Sequence, residues 1–338
     1  MNNKNILFLV VLIFCIFSLV LGLITPKKYT EDNKTVSSSS NTDIKKIINS
    51  KFNRAAVISI NGVISSEKEN NVFSDERNAV SALKLLREIE NDESIKGVLL
   101  KINSPGGTVA MSQSLYNQIL RLRDKKPVVT LMYDVAASGG YYIACASDRI
   151  IAHPGTLTGS IGVIMSSMDI HKLLSEKLSI SQNVIKSGKY KDMGSSTRIM
   201  TSEERELLQD IINDSYAQFK EAITNGRINR KDKYTAEKTV LTSKNLNDYA
   251  DGRVFTGRQA LKLGFIDMTG DIYTAEETLK NMIIQNNAGI KDVEFVNYSK
   301  NYNFADFFGF SDNSASSSIK DIVPSSIKFS KTPLYLWE

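Results

Sequence analysis

Patterns typical of buried strands alternate with patterns typical of amphipathic helices along the middle of this chain. Ala55–Ile60 and Gly97–Ile102 are apolar, β-branched runs bounded by polar residues or glycine, and each is typical of a buried strand. Between them, Ala79–Glu90 carries apolar residues at helical spacing, and Met111–Arg123 repeats that pattern before a third strand pattern at Val128–Tyr133. Strands that alternate with helices at this spacing predict an α/β domain with a largely parallel sheet.

Two further helices are predicted in the second half of the chain. The longer, Ser202–Ile223, follows Thr201, and Thr201 with Glu204 forms a candidate capping box. The shorter, Thr256–Leu263, begins with a hydroxyl residue and is followed by Gly264, a common helix stop. One apolar stripe runs along the longer helix: Leu207, Leu208, Ile211, Ile212, Tyr216, Phe219 and Ile223.

The amino-terminal segment Ile6–Ile24 contains no charged residue. As a helix it spans about 28 Å, close to the hydrocarbon thickness of a bilayer. A cleaved signal peptide is the alternative, but the apolar run is long and no Ala-x-Ala-like site follows it. We therefore expect a transmembrane anchor. The predicted organisation is a cytoplasmic terminus at 1–5, the anchor at 6–24, a polar tether at 25–53, a catalytic domain at 54–291 and a carboxy-terminal extension at 292–338.

Charge and cysteine content exclude several classes of function. The net charge is +5, from 42 basic and 37 acidic residues mixed along the chain, and no basic–aromatic pattern suggests a nucleic-acid partner. The two cysteines, Cys15 and Cys145, are predicted to lie on different sides of a membrane boundary, so no intramolecular disulfide is expected. Neither metal-ligand spacing nor a cofactor motif is present, and we expect no cofactor and no metal.

Three separated motifs fit one active site. Ser104–Gly107 reads Ser-Pro-Gly-Gly, Ala137–Tyr142 places a serine before two glycines, and Lys186–Asp192 contains three lysines. The chain has only two histidines, His153 and His171, and neither lies in a setting that suggests a Ser-His-Asp triad. A serine enzyme built from these motifs would use lysine as its base, a known variant of the triad.

The residues alone leave simpler interpretations open. Ser138 follows a predicted strand and opens a helix, a position that exposes a nucleophile but also suits an ordinary N-cap serine. The glycine pair after it permits close approach of a substrate backbone. Pro105–Gly107 forms a turn in any protein, and lysines are usually solvated, so Lys186, Lys189 and Lys191 all remain candidates at this point.

Together the motifs resemble the signal peptide peptidase A family, membrane-bound serine proteases, in its short bacterial form. The similarity runs from about Ala55 to about Gly270. Its clearest blocks, in the expected order, are Asn103–Gly107, Ala136–Ala144, Thr156–Met165, Lys186–Asp192 and Ala250–Asp267. The resemblance implies the spiral ββα fold that crotonases and the Clp proteolytic subunit share, preceded by a transmembrane helix.

The resemblance also implies a role for each site residue. Ser138 corresponds to the nucleophile, and Gly107 and Gly139 supply the two N–H donors of the oxyanion hole. Register against the family pattern Lys-Ser-Gly-x-x-Lys-Asp selects Lys191 as the base, and Ser160 matches the serine that orients this lysine. A lysine base has to be largely neutral, which requires burial or a neighbouring positive charge.

From the resemblance we expect a membrane-bound serine endopeptidase that degrades remnant signal peptides or other apolar peptides. Its catalytic domain is expected on the extracytoplasmic side of a bacterial membrane, in a homo-oligomeric ring whose sites combine serine and lysine from neighbouring chains. The alternatives are a crotonase-fold acyl-CoA enzyme, which would not need Lys191 or the anchor, and a non-catalytic membrane scaffold. The extension after Asp292 is predicted to be a loosely docked tail rather than a segment packed on another subunit.

Overall fold

The computed structural model describes residues 53–67, 78–230, 233–234, 240–298 and the backbone of 334–336. All of these belong to one compact unit, Ile48–Glu338. The predicted anchor Ile6–Ile24 and most of the tether lie outside the described residues. Among the residues that are described, no helix has the length and apolar character needed to span a bilayer.

The described part of the chain folds around one eight-stranded sheet with the order β7-β6-β4-β2-β1-β9. Strand β5 pairs with β4 and with β8, and every pairing in this sheet is parallel except β6 with β7. Its strands are β1 (Arg54–Asn61), β2 (Ile95–Ser104), β4 (Val128–Ala137), β5 (Arg149–Ala152), β6 (Leu157–Gly159), β7 (Val254–Thr256), β8 (Met268–Thr269) and β9 (Glu294–Asn297). A separate two-stranded sheet joins β3 (Gly106–Thr108) to β10 (Leu334–Leu336).

The predicted α/β class and parallel sheet are confirmed. The four helices predicted with bounds are present, two with the predicted ends and two with ends that differ by one or two residues, whereas the helices Ser243–Tyr249 and Ile272–Asn286 were not predicted. The described helices are α1 (Ala79–Glu90), α2 (Val109–Lys125), α3 (Gly139–Ala144), α4 (Ser202–Ile223), α5 (Ser243–Tyr249), α6 (Gly257–Leu263) and α7 (Ile272–Asn286). The capping box at Thr201 and Glu204 is present, and Gly264 adopts the left-handed conformation that ends α6. Two π-helical turns, Leu173–Lys177 and Thr224–Ile228, complete the helical elements.

Two hydrophobic clusters form the core on opposite faces of the sheet. Along β1, Ala56, Ile58 and Ile60 belong to the larger cluster with α1–α4, whereas Ala55 and Val57 belong to the smaller cluster under α7. This period-two division is what a strand buried on both faces requires. The sheet is therefore a rigid layer between two sets of helices, and its strand ends fix the loops that carry the candidate site.

The apolar stripe of α4 is only partly buried. Phe219 and Ile223, at its carboxy-terminal end, lie in the core. Leu207 and Ile211, nearer its beginning, are 38% and 43% exposed. The described residues thus cover one half of the stripe and leave the other half open to solvent.

Candidate active site

Ser138 occupies a sharp turn between β4 and α3. Strand β4 runs through Ala137, four residues beyond its predicted end, and the helix begins at Gly139. Ser138 has φ 50° and ψ −116°, a conformation that costs free energy for any residue with a side chain. Its N–H donates to the Gly159 carbonyl at 2.8 Å, and its carbonyl accepts from Tyr142 N at 2.8 Å. Both neighbours hold the turn in this strained form.

The Ser138 hydroxyl is buried without a hydrogen-bond partner. The residue is 0% exposed, and its Oγ is one of four buried side-chain polar atoms without a partner in the described part of the chain. It makes no capping bond to α3, so the interpretation of Ser138 as an ordinary N-cap is wrong. Because buried hydroxyls in proteins are nearly always hydrogen-bonded, this one has no structural explanation.

Two glycine backbones meet beside this serine. A methyl group built on Gly139 would lie 3.1 Å from Gly107 N and 2.6 Å from the Oγ of Ser112. A methyl group on Gly107 would lie 1.9 Å from the carbonyl oxygen of Ile64, which packs against β3. Neither position accepts a side chain without rearrangement. The Gly107 amide therefore lies close to Gly139, the residue that follows Ser138, and two neighbouring main-chain amides are what an oxyanion hole needs.

Ser160 lies close to the turn. It follows Gly159, whose carbonyl accepts from Ser138 N, and its own N–H donates to the Arg253 carbonyl at 2.8 Å. Ser160 is 6% exposed and also has a positive φ, 50°. The structure thus brings Ser138, Gly107, Gly139 and Ser160 into one region of the fold.

Lys191 is not part of that group. It is exposed, on residues 163–200, which we call the arm, and its N–H donates to the Gly188 carbonyl at 3.2 Å. Within the described residues its side chain makes no hydrogen bond or ion pair, and the unpartnered Ser138 Oγ excludes a bond between the two. Within one chain, therefore, the serine and the two glycines lie together, whereas Lys191 lies on the exposed arm.

The other two lysines of this motif are held by carboxylates. Lys186 Nζ lies 2.6 Å from an oxygen of Asp192 and 3.1 Å from the Lys189 carbonyl. Lys189 pairs with Glu203, and the hydrogen bond to this carboxylate raises the pKa of Lys189. A lysine stabilised as a cation is a poor proton acceptor.

An ion cluster that the sequence analysis did not predict connects the turn that contains Lys191 to the start of α4. Arg198 donates to both carboxylate oxygens of Asp192, at 2.9 Å and 2.8 Å, and also pairs with Glu204. Arg198 and the backbone of Thr201 together lower the pKa of Glu204 to about 2. Only the chain reversal between residues 192 and 204 brings these charges together, so no sequence spacing indicates the cluster.

The arm exposes an unusual number of large apolar side chains, and Ile185 is fully exposed. These side chains are Ile164, Met168, Leu173, Leu178, Ile180, Val184, Ile185 and Ile199. So many exposed apolar side chains on one segment suit a contact with another molecule or a membrane.

A second feature without a sequence signal is β10. Its backbone pairs antiparallel with β3, and Tyr335 lies opposite Gly107 in the register. Strand β10 also lies against α2 and α3.

No cluster of His, Cys, Asp and Glu in the described residues is suited to a metal ion. Burial raises the pKa of the Cys145 thiol to about 12.

Comparison with known proteins gives relatives of one kind. A Synechocystis sp. protein, provisionally described as a protease, is 42% identical over 199 residues, which cover 59% of this chain and 66% of that protein. An Enterococcus faecium protein, provisionally named signal peptide peptidase SppA, is 36% identical over 66% of this chain and 62% of its own length. The chloroplast serine protease SPPA of Arabidopsis thaliana is 34% identical over 65% of this chain and 31% of its own length. The chain thus spans just under two thirds of the first two relatives.

Residues 121–284 match the family described as peptidase family S49. This range includes the serine turn, Ser160 and the lysine motif, and the resemblance inferred from the motifs is confirmed. The family match and these relatives support the signal peptide peptidase A family and peptidase family S49 as the family of this chain.

Proposed function

We propose that the protein is a serine endopeptidase in which Ser138 attacks the carbonyl carbon of a peptide bond. The observation that carries this proposal is the strained, buried turn that holds an unpartnered Ser138 hydroxyl beside two glycine amides. The N–H groups of Gly107 and Gly139 would stabilise the oxyanion, and each such donor typically contributes about 3 kcal/mol to the transition state.

Lys191 is the proposed base, and a neighbouring subunit supplies it. Lys186 and Lys189 are bound to carboxylates, whereas Lys191 makes no ion pair in the described residues. A lysine base is kept neutral by burial or by a neighbouring positive charge, and the arm leaves Lys191 exposed in a single chain. The exposed apolar side chains of the arm provide a surface for a second copy. Repeated contacts between unlike surfaces close into a ring when the rotation allows it.

The reaction proceeds through an acyl-enzyme. Lys191 takes the proton from the Ser138 hydroxyl as its oxygen bonds to the substrate carbonyl, and the protonated amine then donates to the leaving nitrogen. Water then gives a proton to the neutral Lys191 amine as its oxygen attacks the ester carbon. The bond from that carbon to Ser138 Oγ breaks, Lys191 returns the proton to Oγ, and the new carboxyl end of the peptide leaves. Ser160, next to the residue that anchors the serine turn, would orient the lysine amine by a hydrogen bond.

Remnant signal peptides or other apolar peptides near a membrane are the proposed substrates. The segment Ile6–Ile24 would hold the enzyme at a bacterial membrane with its catalytic domain on the extracytoplasmic side. The spiral ββα form of the α/β fold is part of the same proposal. These points are supported by the family membership and by the sequence of the apolar segment.

The test of the nucleophile is labelling with a fluorophosphonate probe together with peptide hydrolysis. Wild-type chain should be labelled at Ser138, and Ser138→Ala should lose both labelling and hydrolysis while its melting temperature changes little. Ser114→Ala, an exposed serine on α2, is the matched control and should behave as wild type. A chain that binds acyl-CoA and resists the probe would favour a crotonase-like enzyme, and inertness to both would favour a scaffold.

The shared site is tested by mixing two inactive chains. Ser138→Ala still offers Lys191, and Lys191→Ala still offers Ser138, so a mixed ring contains some complete sites. Partial activity on co-expression supports the shared site. If verified mixed oligomers show no rescue, serine and lysine act within one chain.

A further inference from the structure

We propose that Asn103 is a positioning residue that fixes the Ser138 turn relative to Gly107. The inference rests on the proposed function in one respect, because it takes these two residues as nucleophile and oxyanion donor. The observation that carries it is a pair of hydrogen bonds from the Asn103 side chain to Asp134 and Val135, at the point where β4 leaves its regular pairing with β2.

The pairing of β2 with β4 is irregular beside Asn103. Ile102 lies opposite Met132, but the next paired residue of β2, Ser104, lies opposite Ala136. Strand β2 therefore advances by two residues, from 102 to 104, where β4 advances by four, from 132 to 136. The two extra residues of β4 form a bulge, and a bulge bends its strand and redirects the residues that follow. At the same point β4 changes partner, from β5 before the bulge to β6 after it.

The Asn103 side chain connects this bulge to β2. Its Oδ1 accepts from Val135 N at 3.1 Å, and its Nδ2 donates to Asp134 Oδ2 at 3.1 Å. A carboxylate only accepts, so Asp134 holds the amide nitrogen on its own side and leaves the amide oxygen facing the Val135 N–H. In the described register of the two strands no residue of β2 lies opposite Val135, and a side-chain amide thus takes the place of a backbone acceptor.

The bulge determines how the two halves of the candidate site are aligned. Beyond it, Ser104 and Ala136 lie opposite each other. Gly107 follows Ser104 by three residues, and Ser138 follows Ala136 by two. Ser104 Oγ also accepts from Gly106 N at 3.1 Å, which fixes the turn that leads to Gly107. A change in the bulge would therefore shift Ser138 relative to Gly107, and a shift of about 1 Å can lower a rate about 10²-fold.

Strand β6 supports the bulge from its other side. Thr156 Oγ1 donates to the Tyr133 carbonyl at 2.5 Å, and Thr158 Oγ1 donates to the Ala136 carbonyl at 2.7 Å. Neither bond involves Asn103, so both remain when this residue is replaced. The expected result of replacing Asn103 is consequently a displaced serine turn in a folded chain.

The first test exchanges the amide and the carboxylate in the full-length chain purified in detergent. Asn103→Asp keeps an acceptor for the Val135 N–H but places a second carboxylate against Asp134, and opposed like charges repel. Adding Asp134→Asn to it restores one donor and one acceptor. We expect kcat for peptide hydrolysis to fall about 10- to 100-fold in Asn103→Asp and to return to within about threefold of the wild type in the double variant. Asp134→Asn alone should lose little, because its new amide oxygen still accepts.

A positioning role differs from a merely structural one in three measurements on the same preparations. Asn103→Asp should keep the wild-type KM, the wild-type shape of the pH profile and the wild-type fraction of chains labelled by fluorophosphonate at saturation, since its sites are complete but misaligned. Asn213→Asp, at an exposed asparagine of α4, is the matched control and should behave as wild type. The proposal would be overturned by wild-type kcat in Asn103→Asp, by a double variant as slow as Asn103→Asp, or by a labelled fraction that falls in proportion to kcat.

The second test does not depend on catalysis. Asn103→Ala removes both side-chain hydrogen bonds, so amide hydrogen exchange in residues 133–138, followed by mass spectrometry, should become about tenfold faster. Asn213→Ala should leave this segment unchanged. Wild-type exchange in Asn103→Ala would overturn the proposal, whatever the activity assays show. If the wild-type chain is neither labelled nor active, the proposed protease fails, and faster exchange in Asn103→Ala would still support Asn103 as the residue that fixes the turn.

Discussion

Gly139→Ala is the substitution that most directly tests the oxyanion hole. The new methyl group would lie 3.1 Å from Gly107 N, closer than a carbon normally approaches a backbone atom, and would occupy space that the oxyanion needs. The alanine keeps its own N–H, and Gly139 has no positive φ that would strain it. The substitution therefore blocks a site without deleting a donor.

The effect on stability should be small because two contributions nearly cancel. Alanine at the first position of α3 gains about 1 kcal/mol over glycine. The methyl group would also lie 2.6 Å from Ser112 Oγ, which has to rotate away and give up its 2.9 Å hydrogen bond to the Thr108 carbonyl. That loss costs about 1 kcal/mol. Activity, in contrast, should fall about 10²- to 10³-fold, because the methyl group keeps the oxyanion from reaching the Gly107 amide, and loss of one oxyanion hydrogen bond usually has an effect of this size.

The assay is kcat for peptide hydrolysis with the melting temperature measured on the same preparation. Gly155→Ala is the matched control, because a methyl group there meets nothing within 4 Å. We expect a large loss of kcat for Gly139→Ala, none for Gly155→Ala, and melting temperatures within a few degrees of the wild type. A Gly139→Ala chain with kcat within threefold of the wild type would refute this account of the hole.

Three further predictions concern charged residues. Lys191→Ala should lose activity by several orders of magnitude, whereas Lys186→Ala and Lys189→Ala should lose far less. The wild-type rate should rise with pH through one ionisation, because the neutral amine is the active form. Comparable losses at all three lysines would contradict a specific base. Arg198→Met should release the turn that carries Lys191 and lower kcat, with the melting temperature reporting any general loss of structure. Burial raises the pKa of Asp148 from 3.8 to about 6, so stability falls as pH rises through that interval. The free energy of unfolding of Asp148→Asn should therefore rise relative to that of the wild type between about pH 4 and pH 7, by at most about 3 kcal/mol. A difference in melting temperature that does not depend on pH would contradict this.

Local rules were sufficient to predict most of the described helices and the three longest strands, β1, β2 and β4, but not the short strands. The bounds of α1 and α4 match the predicted ranges, because helical spacing and a capping box act within a few residues. Strand β4 is longer than predicted, since its last residues, Val135 to Ala137, gain a partner in β6 only after the chain folds. Strand β9 lies within the predicted extension, where the family similarity fades and only pairing with β1 defines a strand.

The candidate site was predictable as a set of residues but not as a geometry. Sequence motifs identified Ser138, Gly107 and Gly139, whereas the strain at Ser138 depends on the distant Gly159 carbonyl. The requirement for glycine at Gly107 comes from contact with Ile64, more than forty positions away. The β10 pairing and the Arg198 cluster likewise depend on contacts between segments that no periodic pattern connects.

Burial separates the two halves of the proposed dyad, although their motifs look equally strong in the sequence. The serine half lies in the interior of the described fold, and the lysine half lies on the exposed arm. The apolar side chains of the arm are exposed, and so are Leu207 and Ile211 on α4. The Arg198 cluster connects the start of this helix to the turn that contains Lys191. The contact proposed above with a second copy would cover apolar side chains of this kind and remove Lys191 from water. We therefore propose that assembly and activation of the base are one event, so that dilution to monomers would abolish hydrolysis while leaving the Ser138 turn folded.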